Sequence, residues 1–226
     1  MIKAILFDLE GTLLSFDTGN FLRNYLGLLA PRFANILPPD KFSKQLMKSL
    51  EAAQRESGPE QTIITSFYED LSKATGQSAQ SLRPVFEEFY EADFPALQYF
   101  VQAVPQGVRI VSHALQRGFL TGAASNFDLP LAAMLEYLSW VGFKKKQFKV
   151  ISSMDNFHYF KPQREYFREF AENLGIKPEN CLLVSSRPQD LACRKTGMKA
   201  FFIGNPEEEE EADYSGSFED LFRLLG

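Results

Sequence analysis

The chain has 226 residues, of which 24 are lysine or arginine and 29 are aspartate or glutamate, so its formal net charge is −5. This acidic balance argues against broad nucleic-acid binding, which needs a basic surface. The length predicts one core with a small insert, and 45% hydrophobic residues is typical of a globular protein. Because no apolar run reaches the roughly 18 residues of a membrane span and no signal-peptide layout is present, we expect a cytoplasmic protein without membrane contact.

The first predicted strand ends in acids. Its apolar run, residues 2–7, is followed by Asp8, Glu10 and a Gly11-Thr12 turn. A buried parallel strand has no structural use for acids at its carboxyl end, whereas open α/β sheets bind ligands there. An aspartate at that place can attack phosphorus or carbon, and the second acid can handle the proton of a leaving group. The alternative is that Asp8 only caps a turn.

The next segment is predicted to be helical almost throughout. Four apolar faces with helical spacing lie between residues 21 and 90, separated near Pro31, Pro38-Pro39 and Gly76. They predict a small bundle of about 85 residues. We assign residues 16–99 to a helical cap, and residues 1–15 and 100–226 to the catalytic core. The cap either stabilises the fold or acts as a lid.

Two later segments place a serine and a lysine next to a predicted strand and a predicted helix. A helix over about 106–117, stopped by Gly118, leads to an apolar strand and then to Ser125-Asn126. A hydroxyl and the N–H groups after it can hold phosphoryl oxygens. Lys161-Pro162 is predicted to open an amphipathic helix, with the proline in its first turn. The plainer alternatives are a turn at Ser125 and a solvated lysine at 161.

The peptide from Asp8 to Thr12 resembles the first motif of the haloacid-dehalogenase superfamily, Asp-x-Asp-Gly-Thr. Ser125, Lys161 and a segment after the apolar run 181–184 follow in that family's order. The resemblance implies an α/β protein: a Rossmann-like three-layer core with a parallel sheet and a small all-helical cap. Most members are magnesium-dependent phosphatases that form an aspartyl-phosphate. A minority, the 2-haloacid dehalogenases, use the same aspartate on carbon without metal.

The fourth motif departs from the family pattern. The usual Gly-Asp-x-x-x-Asp is replaced by residues 185–190, Ser-Ser-Arg-Pro-Gln-Asp, which retain Asp190 but place Ser186 where the first acid stands. Mg²⁺ usually takes only one or two carboxylates, so this loss weakens a site without abolishing it. The Ser-Ser-x-x-x-Asp pattern also resembles the dehalogenases, although these typically carry tyrosine at the position of Glu10.

The resemblance implies a phosphatase that acts on a small phosphorylated metabolite, as a monomer or homodimer. Asp8 would be the nucleophile and Glu10 the general acid and base, while Ser125, Asn126 and Lys161 would hold the phosphoryl group. Asp8, Glu10 through its carbonyl, and Asp190 would bind Mg²⁺, with Ser186 as a possible further ligand. The alternatives are a metal-independent 2-haloacid dehalogenase and a catalytically weakened protein that binds a ligand or a partner.

Overall fold

A computed structural model describes residues 1–125, 129–204 and 211–226. The central sheet contains six strands: β1 (Ala4–Asp8), β4 (Leu120–Ala124), β5 (Val150–Ile151), β6 (Cys181–Ser185), β7 (Lys199–Ile203) and β8 (Tyr214–Gly216). Their spatial order is β5-β4-β1-β6-β7-β8, and neighbouring strands run parallel. A separate antiparallel ribbon pairs β2 (Leu14–Ser15) with β3 (Gln102–Ala103). The order puts β4, β1 and β6 side by side at the centre of the sheet.

Eight α-helices surround these strands in the described part of the chain. Four lie between the two ribbon strands: α1 (Thr18–Leu29), α2 (Pro39–Arg55), α3 (Ile63–Thr75) and α4 (Ala79–Ala92). The other four flank the sheet: α5 (Pro105–Gln116), α6 (Leu131–Ser139), α7 (Arg164–Leu174) and α8 (Phe218–Leu225). Local signals set several ends, since the Asp17 side chain caps α1 and Gly76, at φ +71°, ends α3. No helix of the described residues is both long and apolar enough to cross a membrane.

The core is built on buried strands and aromatic rings. Every residue of β1 and β6 is buried. On β4, a Cβ added to Gly122 would lie 2.4 Å from the Phe170 ring of α7, so only glycine allows this helix to pack so closely. In the cap, the Phe33 and Phe42 rings stack with centroids 4.0 Å apart. Large aromatic side chains therefore fill both the core and the cap interior.

The structure confirms the predicted fold class, a parallel α/β core with a small helical cap. The ribbon of β2 and β3 marks where the chain leaves the core and returns, and Val104 N donates to Leu13 O at 2.9 Å beside it. This position supports the predicted division into residues 16–99 and the remainder, which itself stays a prediction.

The prediction of a helix that opens at Lys161-Pro162 was wrong. α7 begins at Arg164, after a turn in which Gln163 N donates to Phe160 O at 2.8 Å and Phe160 N donates to Gln163 Oε1 at 3.0 Å. This turn holds the lysine and the proline ahead of the helix. Asn126 lies outside the described residues.

Candidate active site

Three neighbouring strands deliver the predicted site residues to one edge of the sheet. Asp8 is the last residue of β1 and pairs in register with Ala124 of β4, so Ser125 follows at the same level. Ser185 ends β6, on the other side of β1. Because carboxyl ends of parallel strands share an edge, residues far apart in sequence meet there.

Lys161 joins two buried carboxylates. Its Nζ lies 2.7 Å from Asp8 Oδ1 and 2.8 Å from Asp190 Oδ2. The lysine side chain is 2% exposed and both acids are fully buried. Burial would lower the pKa of Lys161, but the charges of Asp8 and Asp190 outweigh it and hold that pKa above its ordinary value. The ammonium is therefore permanently charged beside the predicted nucleophile.

The carboxyl group of Asp8 has an altered acidity. Burial, the largest effect, raises its pKa to about 7; the ammonium of Lys161 opposes this shift, while the charges of Asp190 and Glu10 add to it. Burial disfavours a charged carboxylate because the interior solvates it poorly. Such a shift, with a specific charged partner, is typical of functional sites.

Glu10 faces the hydroxyl of the second motif. Ser125 Oγ donates to Glu10 Oε1 at 2.8 Å, across 115 residues of sequence, and both side chains are buried. The turn that aims Glu10 is closed by Leu9 O, which accepts from the backbone N–H groups of residues 12, 13 and 14. The turn also requires glycine at position 11, where φ is +88° and an added Cβ would lie 2.7 Å from Ser186 Oγ.

Ser125 is held by a relay that sequence reasoning did not find. Ser152 Oγ accepts from Ser125 N at 3.1 Å and from the Tyr166 hydroxyl at 2.8 Å, and it donates to Ala123 O at 3.3 Å. All three hydrogen-bonding positions of the Ser152 hydroxyl are thus used. Ser152 directly follows β5, and Tyr166 lies on α7. Neither residue belongs to a motif that the sequence analysis marked, so the sequence carries no signal of this contact.

Thr12 connects the first and fourth motifs. Its Oγ1 lies 3.3 Å from Asp8 Oδ2 and 3.4 Å from Ser186 Oγ, and it accepts from Ser186 N at 3.1 Å. The neighbouring Ser185 donates to Asp190 Oδ2 at 2.8 Å. Thr12 therefore contacts both Asp8 and Ser186. Sequence reasoning missed Thr12 and Ser185, although both lie within motifs it had marked.

One carboxylate oxygen of Asp190 is available to bind a cation. Asp190 Oδ2 accepts from Lys161 and Ser185, whereas Asp190 Oδ1 is buried and has no hydrogen-bond partner among the described residues. Such an oxygen is costly unless something positive meets it. No three acidic, histidine or cysteine side chains of the described chain form a metal-binding group. Two carboxylates, Asp8 and Asp190, are nevertheless a number that Mg²⁺ accepts when water completes its shell. These two residues therefore fit Mg²⁺. The Glu10 carboxylate faces Ser125 instead, so Glu10 could contribute only through its carbonyl.

The cap closes over the site. At the start of α3, Ile63 N donates to Phe157 O and Ile64 N to Met154 O, each at 2.9 Å. A small cavity of about 30 Å³, large enough for one water, remains between the cap and the core at Ser125 and Lys161. The site is therefore shielded from bulk water in this state.

Comparisons with known proteins agree with this geometry. Residues 2–193 match the family model described as haloacid dehalogenase-like hydrolase. "Putative phosphatase YhcW" of Bacillus subtilis (strain 168) is 25% identical over 212 residues, covering 91% of this chain and 84% of that protein. An HAD phosphatase from Thermococcus onnurineus superposes with a TM-score of 0.62 at 19% identity, covering 100% of this chain and 98% of that chain. The L-2-haloacid dehalogenase from Xanthobacter autotrophicus with chloropropionic acid covalently bound superposes with a TM-score of 0.56 at 18% identity, over 100% and 98%.

The structural similarities establish the fold, and they include both phosphatases and dehalogenases. The family model spans most of the sequence and includes every residue of the candidate site described above. With Asp8, Ser125, Lys161 and Asp190 gathered at one sheet edge under a helical cap, the chain belongs to the haloacid dehalogenase-like hydrolases.

Proposed function

We propose that the protein hydrolyses the phosphate monoester of a small metabolite through an aspartyl-phosphate on Asp8. The observation that carries this proposal is the contact of Ser125 Oγ with Glu10 Oε1 at 2.8 Å, two residues after Asp8. This hydrogen bond holds the buried carboxyl group of Glu10 in place two residues after Asp8, the proposed nucleophile. An alkoxide leaving group needs a proton as it departs, whereas a halide does not, so an acid at this position favours phosphate ester chemistry.

The first half of the reaction forms a bond to Asp8. One carboxylate oxygen of Asp8 attacks phosphorus in line, the bond from phosphorus to the ester oxygen breaks, and Glu10 gives its proton to that oxygen. Lys161, whose Nζ lies 2.7 Å from Asp8, offsets the negative charge of the phosphoryl group. The hydroxyl of Ser125, which donates to Glu10 in this structure, would turn to a phosphoryl oxygen when the substrate binds.

The second half releases phosphate. Glu10, now ionised, takes a proton from water, the water oxygen attacks phosphorus, and the bond from phosphorus to Asp8 breaks. Mg²⁺ bound at Asp8 and Asp190 would supply additional positive charge at the phosphoryl oxygens. Asp8 and Glu10 return to their starting states.

Substrate entry requires the cap to move, because Asp8 is fully buried and Lys161 is 2% exposed. The contacts to be broken include two backbone hydrogen bonds from the start of α3 and the pair between Ser57 and Gln163, whose Oγ and Nε2 lie 3.0 Å apart. They also include the ring contact of Phe94 with Trp140. Lids over active sites commonly open and close during turnover.

A dehalogenase is the second candidate, and the serine at position 186 is the observation that favours it. The described residues offer two carboxylates to a metal and no cluster of three, while attack by Asp8 on carbon needs neither metal nor acid. In that reaction the aspartate displaces halide from a 2-haloacid, and water then hydrolyses the resulting ester.

A substrate panel separates the two functions. Phosphomonoesters are assayed with Mg²⁺ and with EDTA, and 2-chloropropionate is assayed for halide release, each with wild type and Asp8→Asn. We expect phosphate release that needs Mg²⁺ and is abolished by Asp8→Asn. Halide release without phosphatase activity would select the dehalogenase, and full activity of Asp8→Asn would overturn both functions.

A further inference from the structure

A second, larger cavity lies between the cap and the core. Its volume is about 730 Å³, within the range of small-molecule sites. Its cap wall includes the aromatic side chains of Tyr68, Phe86 and Tyr90, on α3 and α4. Its core wall is the start of α6, at residues 130–132. The cavity can accommodate a ring-sized group with room for a substituent.

The cavity is adjacent to the catalytic site. A narrow space of about 30 Å³ shares Ile64, Tyr68 and Tyr90 with the large cavity, and it shares Met154 with the cavity that touches Ser125 and Lys161. Met154 and Ile64 are joined by the backbone hydrogen bond that closes the cap. The three spaces therefore meet at the contact between cap and core that must open for substrate entry.

The charges at the rim are mostly negative. Four carboxylates, of Glu87, Glu91, Glu136 and Asp155, line the large cavity against one guanidinium, that of Arg83. Arg83 lies over the Tyr68 ring, 4.6 Å from its centroid. Two of the acids already accept hydrogen bonds from the protein: Glu136 from Trp140 Nε1 and Asp155 from Leu131 N. Glu87 and Glu91, one turn apart on α4, are the exposed acids of the cap wall.

We propose that this cavity binds the leaving group of the substrate, and that this group has an aromatic ring and a positively charged amine. The inference rests on the proposed function, since the phosphoryl end must lie at Asp8. The ring would pack against those parts of Tyr68, Phe86 and Tyr90 that line the cavity, since aromatic side chains favour aromatic and cationic partners. One face of Tyr68 is already covered by Arg83. The amine would meet Glu87 and Glu91. An anionic leaving group would be repelled by the same acids.

Three phosphate esters with the same ring test the charge preference: tyramine phosphate, its neutral ethylphenyl counterpart and its carboxyethyl counterpart. We expect kcat/KM to fall in that order, by about tenfold from the cation to the anion, mostly through KM. In Glu87→Gln/Glu91→Gln the ratio should shrink to about two or less. The matched control Glu51→Gln/Glu60→Gln removes the same charge from exposed cap positions outside the cavity and should keep the wild-type ratio.

A binding measurement makes the outcome independent of phosphatase activity. Tyramine, the product of the cationic ester, is titrated into wild type and both double variants by calorimetry. Weaker binding in Glu87→Gln/Glu91→Gln alone supports the site, even if no ester is turned over and the proposed function fails. Equal kcat/KM for the three esters, or tyramine binding that is absent or unchanged in that variant, would overturn the proposal.

Discussion

Replacing Asp8, the proposed nucleophile, should stabilise the protein while it abolishes turnover. Asp8 is fully buried, and it shares the sheet edge with Asp190 and Glu10, whose charges face one ammonium, that of Lys161. The variant Asp8→Asn keeps the shape of the side chain and removes one negative charge. Since the cluster has more acids than cations, this removal relieves a cost of folding.

The magnitude follows from the pKa of Asp8, which burial raises from 3.8 to about 7. Between these values the folded protein keeps a proton that the unfolded chain has lost, so stability falls as the pH rises through this window. About three pH units at about 1.4 kcal/mol each correspond to a loss of stability of roughly 4 kcal/mol. This loss is complete above a pH of about 7, where Asp8 is ionised in the folded protein. Asparagine avoids this cost, which already includes the opposing attraction of Lys161 because that attraction contributes to the pKa. We therefore expect a net gain of up to roughly 4 kcal/mol at pH 8.

The assay is urea unfolding, followed by circular dichroism in EDTA at pH 5 and pH 8. The free energy of unfolding of wild type should fall between the two pH values, and the advantage of Asp8→Asn should grow. Asp213→Asn is a control of opposite sign. Although burial of Asp213 alone would raise its pKa, hydrogen bonds from Lys199, Ala200 N and Arg194 hold that pKa below its ordinary value, so this variant should be destabilised. An Asp8→Asn protein that is less stable than wild type by the same amount at both pH values would refute the reasoning.

Three further substitutions test single contacts of the site. Glu10→Gln should slow alkyl phosphates by about 10²–10⁴-fold but p-nitrophenyl phosphate far less, because that leaving group needs little protonation; equal losses of kcat would show that Glu10 has another role. Ser186→Asp adds a carboxylate next to Thr12, so it should lower the Mg²⁺ concentration for half-maximal activity. It should also lower the Mg²⁺ concentration that produces half of the metal-induced rise in melting temperature. Unchanged titrations would place residue 186 outside the metal site. Tyr166→Phe removes the hydroxyl that binds Ser152 and should lower kcat by a few-fold to tenfold with KM little changed, at a stability cost of about 1 kcal/mol; a stability loss without any change of kcat would make the relay merely structural.

The sequence alone identified the fold class and marked most residues of the candidate site. Asp8 and Glu10 are recognisable because acids follow directly on a buried apolar strand, where only a ligand gives them a use. Ser125 and Lys161 follow in a fixed order along the chain. The helical spacing of apolar residues predicted the cap, because burial of one helix face imposes a period that is visible in any single helix. These signals are local, so they can be recognised in the sequence without a structure.

The tertiary structure determined which side chains of the candidate site contact one another. The order of β4, β1 and β6 brings Ser125 within 2.8 Å of Glu10, and a loop turn before α7 brings Lys161 between Asp8 and Asp190. The sequence gives no indication of the contact of Tyr166 with Ser152 or of the contact of Ser186 with Thr12. Each contact depends on how side chains on separate elements are oriented. A serine or tyrosine at these positions does not by itself indicate which residue it contacts. Because such contacts arise only when distant strands and helices pack together, no periodicity or spacing along the chain encodes them.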